Sequence, residues 1–134
     1  MKIRLDTEAL KKINLFQTIT GSDILDMIDT DDQIFFVVTE GDYGLAVGKD
    51  GVKIKKAEKI FKKRIKIIEA SKDLETFIKN MIPEVKEIIV KDKKIRIKID
   101  IKDRPRVIGK SGKNIKVMKQ LLERMFEIND IKIL

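Results

Sequence analysis

Ten residues of this chain occur twice. Residues 46–55 read Ala-Val-Gly-Lys-Asp-Gly-Val-Lys-Ile-Lys, and residues 107–116 read Val-Ile-Gly-Lys-Ser-Gly-Lys-Asn-Ile-Lys. A shift of 61 positions aligns them, with Gly48/Gly109, Lys49/Lys110, Gly51/Gly112, Ile54/Ile115 and Lys55/Lys116 identical. The same shift pairs Asp42 with Asp103, and Ile34, Phe36 and Val38 with Ile95, Ile97 and Ile99. Those three positions alternate, as one face of a strand does. A fold for this chain must therefore be one small unit made twice. The expected boundaries are 1–70 and 71–134, with a seam at Ala70-Ser71-Lys72 that contains no Gly or Pro and should couple the copies closely.

Each copy reads in the same order. The first opens with a helix over 6–16, whose apolar side is expected at Leu10, Ile13 and Leu15. Strands follow over 24–28 and 33–39, then a short helix ending at Gly48. A longer helix after Gly51 places Ile54, Ala57, Ile60 and Phe61 on one face. A strand over 64–69 closes the copy. The second repeats this with a helix over 73–81, strands over 87–90 and 94–101, and a short helix over 103–108. Asp103 suits its N-cap and Pro105 its first turn. The last helix is expected to bury Ile115, Met118, Leu121, Leu122 and Met125, and the last strand covers 131–134.

The repeated motif, Gly-Lys-x-Gly between two helices, has a chemical reading. A glycine at each end permits positive backbone angles and close approach by a ligand. The following helix points its amide N–H groups and positive dipole end into the loop. Lys49 and Lys110 add full charges. A single Gly-x-x-Gly means little, since tight turns use it for steric reasons. Two copies in matched context point to a cradle for a phosphodiester backbone. Gly109-Lys110-Ser111 also resembles the end of a P-loop, but that motif needs a glycine where Arg104 stands and a strand ahead of the loop.

Charge agrees with a polyanionic partner. The chain carries 30 Lys and Arg against 22 Asp and Glu, a net charge of +8, with an isoelectric point near 9.6. Residues 49–66 have a net charge of +7 and residues 102–124 of +6, whereas residues 1–47 have −5. Positive charge thus gathers around the loops. Lys53, Arg104, Arg106 and Lys113 join the candidate RNA contacts, with Asp50 and Ser111 inside the loops, and Lys53 is placed to pair with Asp50 one helical turn away. Tyr43 is read as local packing rather than a base-stacking residue.

Other chemistries lack their residues. Cys and His are both absent, which removes common zinc sites, thiolate nucleophiles and imidazole acid–base catalysis. No enzyme, cofactor or metal site is expected. Asp29, Asp31 and Asp32 read as a solvated hairpin turn rather than a cation site. Without an apolar leader or spanning segment, the expected location is the cytoplasm.

Val47-Gly48-Lys49-Asp50-Gly51 with Ile54, and Ile108-Gly109-Lys110-Ser111-Gly112 with Ile115, resemble the signature of the K-homology (KH) module. The order helix–strand–strand–helix–helix–strand is similar to the prokaryotic, type II form. The expected class is therefore α+β, two layers per module, each with a three-stranded sheet. A chain of two such modules is similar to the archaeal NusA-like transcription factors. The resemblance implies that each loop grips the backbone of single-stranded RNA while about four bases lie in an adjoining groove. Val47, Ile54, Ile108 and Ile115 are the apolar groove candidates. It further implies a role in transcription elongation or termination, with RNA polymerase as a partner. Ribosome assembly, or binding of small-subunit RNA by the same module, stands as the alternative. A monomer is favoured.

Overall fold

A computed structural model describes residues 6–134. The chain divides between Lys72 and Asp73 into two compact units. No helix among the described residues is long and apolar enough to cross a membrane.

The first unit runs α1 (Thr7–Thr20), β1 (Ile24–Asp29), β2 (Gln33–Val38), α2 (Tyr43–Val47), α3 (Val52–Phe61) and β3 (Arg64–Glu69). Asp6 caps α1 by accepting from the Ala9 amide at 2.8 Å, and Gly21 ends it in the left-handed conformation. The helix is a full turn longer than its apolar pattern suggests, and it buries a different stripe. Ile13, Phe16 and Thr20 are buried, while Leu10 and Leu15 face solvent. Phe16 takes the central place because its ring stacks on Phe36 of β2, with centroids 4.0 Å apart. Ile60 of α3 is likewise exposed, and Ala57 is the buried contact of that helix.

The sheet has the order β1-β2-β3, with β1 antiparallel and β3 parallel to the central strand. Ile34, Phe36 and Val38 join Ile13, Met27, Ala46, Ala57, Ile65 and Ile67 in the core. Asp29, at the end of β1, is no solvated turn residue. It forms ion pairs with Lys12 of α1 and with Lys63 ahead of β3, the latter at 2.7 Å. Burial pushes its carboxyl up, but the two ammonium groups bonded to it outweigh that and hold it below the usual carboxylate range.

The second unit repeats the order: α4 (Leu74–Met81), β4 (Glu87–Lys91), β5 (Lys94–Lys98), α5 (Arg104–Ile108), α6 (Lys113–Phe126) and β6 (Asp130–Ile133). Asp73 caps α4 through the Thr76 amide at 2.9 Å. The sheet order is β4-β5-β6, again antiparallel then parallel. The repeat reaches further than the motif: Phe77 stands 61 positions after Phe16 and is fully buried beside Phe126.

The strand expected over 94–101 stops at Lys98, and residues 101–103 form a single 3-10 turn. Asp103 occupies the N-cap position of α5, but its side chain accepts from Arg106 rather than from a backbone amide. In α6, Val117, Met118, Leu121 and Leu122 are buried. Ile115 and Met125 are only half-buried.

Candidate nucleic-acid interface

In both copies the chain leaves a five-residue helix at a glycine that no other residue could replace without strain. Gly48 has φ 77° and ψ 169°, and Gly109 has φ 79° and ψ 166°, a region open essentially to glycine alone. Space excludes a side chain as well. A Cβ on Gly48 would lie 2.7 Å from Lys53 Cγ and 3.0 Å from the Lys53 amide nitrogen. On Gly109 it would lie 2.8 Å from Asn114 Cγ and 2.9 Å from its amide nitrogen.

Next comes a helical lysine, and then a residue forced into the left-handed region: Asp50 at φ 55°, ψ 27° and Ser111 at φ 57°, ψ 25°. The second glycine is also left-handed, at φ 73° for Gly51 and 74° for Gly112. A right-handed residue followed by a left-handed one turns successive amides toward a common point, a known anion-binding arrangement. Gly51 donates to the Gly48 carbonyl at 3.1 Å, and Gly112 to Gly109 at 3.0 Å. The amides of Lys49 and Asp50, and of Lys110 and Ser111, belong to the 3-10 turn that leads into the following helix, where the first N–H groups have no partner within the helix. Each loop therefore offers the N–H groups of a helix N-terminus and an exposed lysine at 49 or 110.

Beside each loop lie apolar side chains that are neither buried nor free. Val47, Ile54, Ile108 and Ile115 are all half-buried. Ile54 Cγ2 and Ile115 Cγ2 come to 3.7 and 3.6 Å from where a Cβ would sit on Gly51 and Gly112. They form the wall of each loop as well as an edge of the core.

The cations around the loops fall into two groups, which composition could not separate. Lys53 does not pair with Asp50: its ammonium donates to the Thr20 carbonyl at 2.7 Å, closing the C-terminus of α1. Lys55 reaches the Asp50 backbone carbonyl instead, at 3.4 Å. Asn114 takes the position equivalent to Lys53 and donates to the Arg106 carbonyl at 3.1 Å. Arg106 binds Glu84 through Nε and Nη2 at 3.2 and 2.9 Å, and Asp103 at 3.0 Å. Its charge is thus largely balanced within the module. Arg104 is half-buried and its Nε is buried without a hydrogen-bond partner. Lys113 is exposed at the first turn of α6. Around the first loop the corresponding positions are Tyr43, Leu45 and Val52, all exposed. Tyr43 is therefore a surface residue rather than a packing one.

Residues 8–87 match the KH domain family, and residues 74–134 match the NusA-like second KH domain. The chain belongs to the NusA-like KH proteins. It is 37% identical to a protein of Methanococcus vannielii named as a probable transcription termination protein NusA, over 99% of this chain and 80% of that protein. A protein of the same name from Methanocaldococcus jannaschii is 38% identical over 99% of this chain and 76% of its own length. A crystal structure of APE1850 superimposes with a TM-score of 0.76 at 31% identity, covering 97% of this chain and all of that one. Two KH modules, each a three-stranded sheet with helices on it, are what both the family and the coordinates show.

Proposed function

We propose that this chain binds single-stranded RNA through its two Gly-x-x-Gly loops and acts on transcripts as a termination or elongation factor. One observation carries the reading: two loops with backbone angles matched to within 3°, each setting a helix N-terminus beside an exposed lysine. Such a site takes the phosphates of an RNA chain and is indifferent to base identity. Gly48, Lys49, Asp50 and Gly51, with Gly109, Lys110, Ser111 and Gly112, form the backbone contacts. Lys113 and Arg104 extend the second contact. Val47, Ile54, Ile108 and Ile115 lie where bases would pack. Lys53 and Arg106 serve the sites by bracing them, since their side chains are held internally.

The names borne by the relatives, probable transcription termination protein NusA, favour transcription as the setting. That role makes RNA polymerase a partner in the cytoplasm, and co-purification of polymerase with the chain tests it. The RNA reading is tested by titrating a fluorescent single-stranded oligomer across salt concentrations. Two loops neutralising about four phosphates give a log–log slope of roughly −3. A slope near zero removes the loops as the binding surface.

A further inference from the structure

The second module carries a basic surface remote from its loop. Successive residues of a strand face opposite ways, and residues paired across strands share a face. In β5, Ile95 and Ile97 turn inward and are buried, so Lys94, Arg96 and Lys98 stand on the other side of the sheet. Their partners in register are Lys91, Ile89 and Glu87 on β4, and Asp130 and Lys132 on β6. This outer face thus bears five cations, Lys91, Lys94, Arg96, Lys98 and Lys132, against two acids. Asp130 is itself engaged by Lys119 at 3.6 Å.

All five cations are exposed. Among the described residues none of their side chains makes an ion pair or a hydrogen bond. Several other cations are tied down, as with Lys12, Lys53, Lys63 and Arg106. The basic character does not come with the fold either. The positions 61 residues earlier than Lys94, Arg96 and Lys98 are Gln33, Phe35 and Val37, of which the last two are buried and apolar.

We infer that this sheet face is a second, sequence-independent contact for the phosphate backbone of RNA. Charge complementarity selects the occupant. Five unpaired cations on an open surface match a polyanion, and no aromatic side chain is present to stack a base. Along β5 the same-face repeat is about 6.8 Å, a spacing suited to successive phosphates of an extended strand. The face lies across the sheet from the helical layer that carries Gly109–Gly112, so a short RNA held in that loop leaves it empty. A longer RNA continues onto it.

The test compares the natural protein with a variant carrying Lys94→Gln, Arg96→Gln and Lys98→Gln, using a uridine octamer and a uridine 40-mer. The octamer should bind both proteins equally. The 40-mer should bind the variant about tenfold more weakly, with a salt slope shallower by about 2. Lysine acetylation of the unmodified protein gives an independent reading: the 40-mer should protect Lys94, Lys98 and Lys132, and the octamer should not. Unchanged 40-mer affinity, or equal losses for both lengths, overturns the inference. So does protection of these lysines by polyglutamate but not by RNA, which would assign the face to an acidic protein. Failure of the loop reading is separable, because it appears as loss of octamer binding to the natural protein.

Discussion

The two copies agree in the loop backbone and disagree in nearly everything around it. Six dihedral angles in each Gly-x-x-Gly segment repeat to within 3°. Yet the flanking side chains are Tyr43, Leu45 and Val52 in one copy and Arg104, Arg106 and Lys113 in the other. Behind the loops, one sheet carries Phe35 and Val37 where the other carries Arg96 and Lys98. Duplication has therefore preserved what a phosphate needs, which is backbone geometry, and released what sets strength and partner, which is side-chain charge. The copies share a chemistry and differ in how much of it each supplies.

The equivalence of the loops can be broken most forcefully at the first glycine. Gly48→Ala and Gly109→Ala should each cost about 2–5 kcal/mol, from left-side backbone strain added to collision with the residue five positions on. Chemical denaturation measures it. Gly112→Ala is the control: its Cβ would meet Ile115 Cγ2 at an ordinary 3.6 Å, leaving only the left-handed penalty of about 1 kcal/mol. A large loss at one copy alone would mean that the loops are not held alike.

A second difference lies in Asp29, whose place in the second copy is taken by Val90. Asp29→Asn should destabilise by about 1–2 kcal/mol at neutral pH. The folded-state pKa lies below the ordinary 3.8, so this stability is present above that value and is lost as pH falls through the folded pKa. Melting curves of the two proteins should thus differ at pH 7 and converge in strong acid. A gap that persists at low pH would assign the effect to packing instead of charge.

The loops' unequal surroundings predict unequal binding. Lys110→Ala should weaken single-stranded RNA roughly tenfold and Lys49→Ala about threefold, read from isotherms on one oligomer. Equal losses would place the flanking cations outside the contact. The smallest effect concerns Asp50, which sits where a phosphate should approach. At about 7 Å and an effective dielectric near 40 the repulsion is roughly 1 kcal/mol before screening. Asn keeps the left-handed preference of this position, so Asp50→Asn should raise affinity two- to fivefold at low salt, in the same assay, and have no effect at high salt.

The repeat made the architecture legible before any coordinates. Strand Arg64–Glu69 falls where alternation put it, and both helix pairs flank their loops as the motif required. Helix faces were less legible. Leu10 and Leu15 looked as apolar as Phe16, but only the ring could stack on Phe36 across the core. Cations were least legible. Counting charge along the chain treats Lys53, Arg106 and Lys110 alike, whereas the first caps a helix, the second answers Glu84 and the third is exposed. The basic sheet face is hidden in the linear sequence for a related reason. Lys91, Lys94, Arg96, Lys98 and Lys132 are spread over three strands among acids, and only strand register gathers them onto one side.

The strand order also sets a timetable for synthesis. In the first unit the hairpin β1–β2 is local, but the parallel partner β3 must return to Gln33 from Arg64, across two helices. The hairpin can form within microseconds of leaving the ribosome, and the sheet closes only when Glu69 has emerged. The buried apolar residues of that unit end at Ala70, so its whole sheet is synthesised before any residue of the second unit. All that the first Gly-x-x-Gly loop draws from its own sheet is thus made before the second loop is translated.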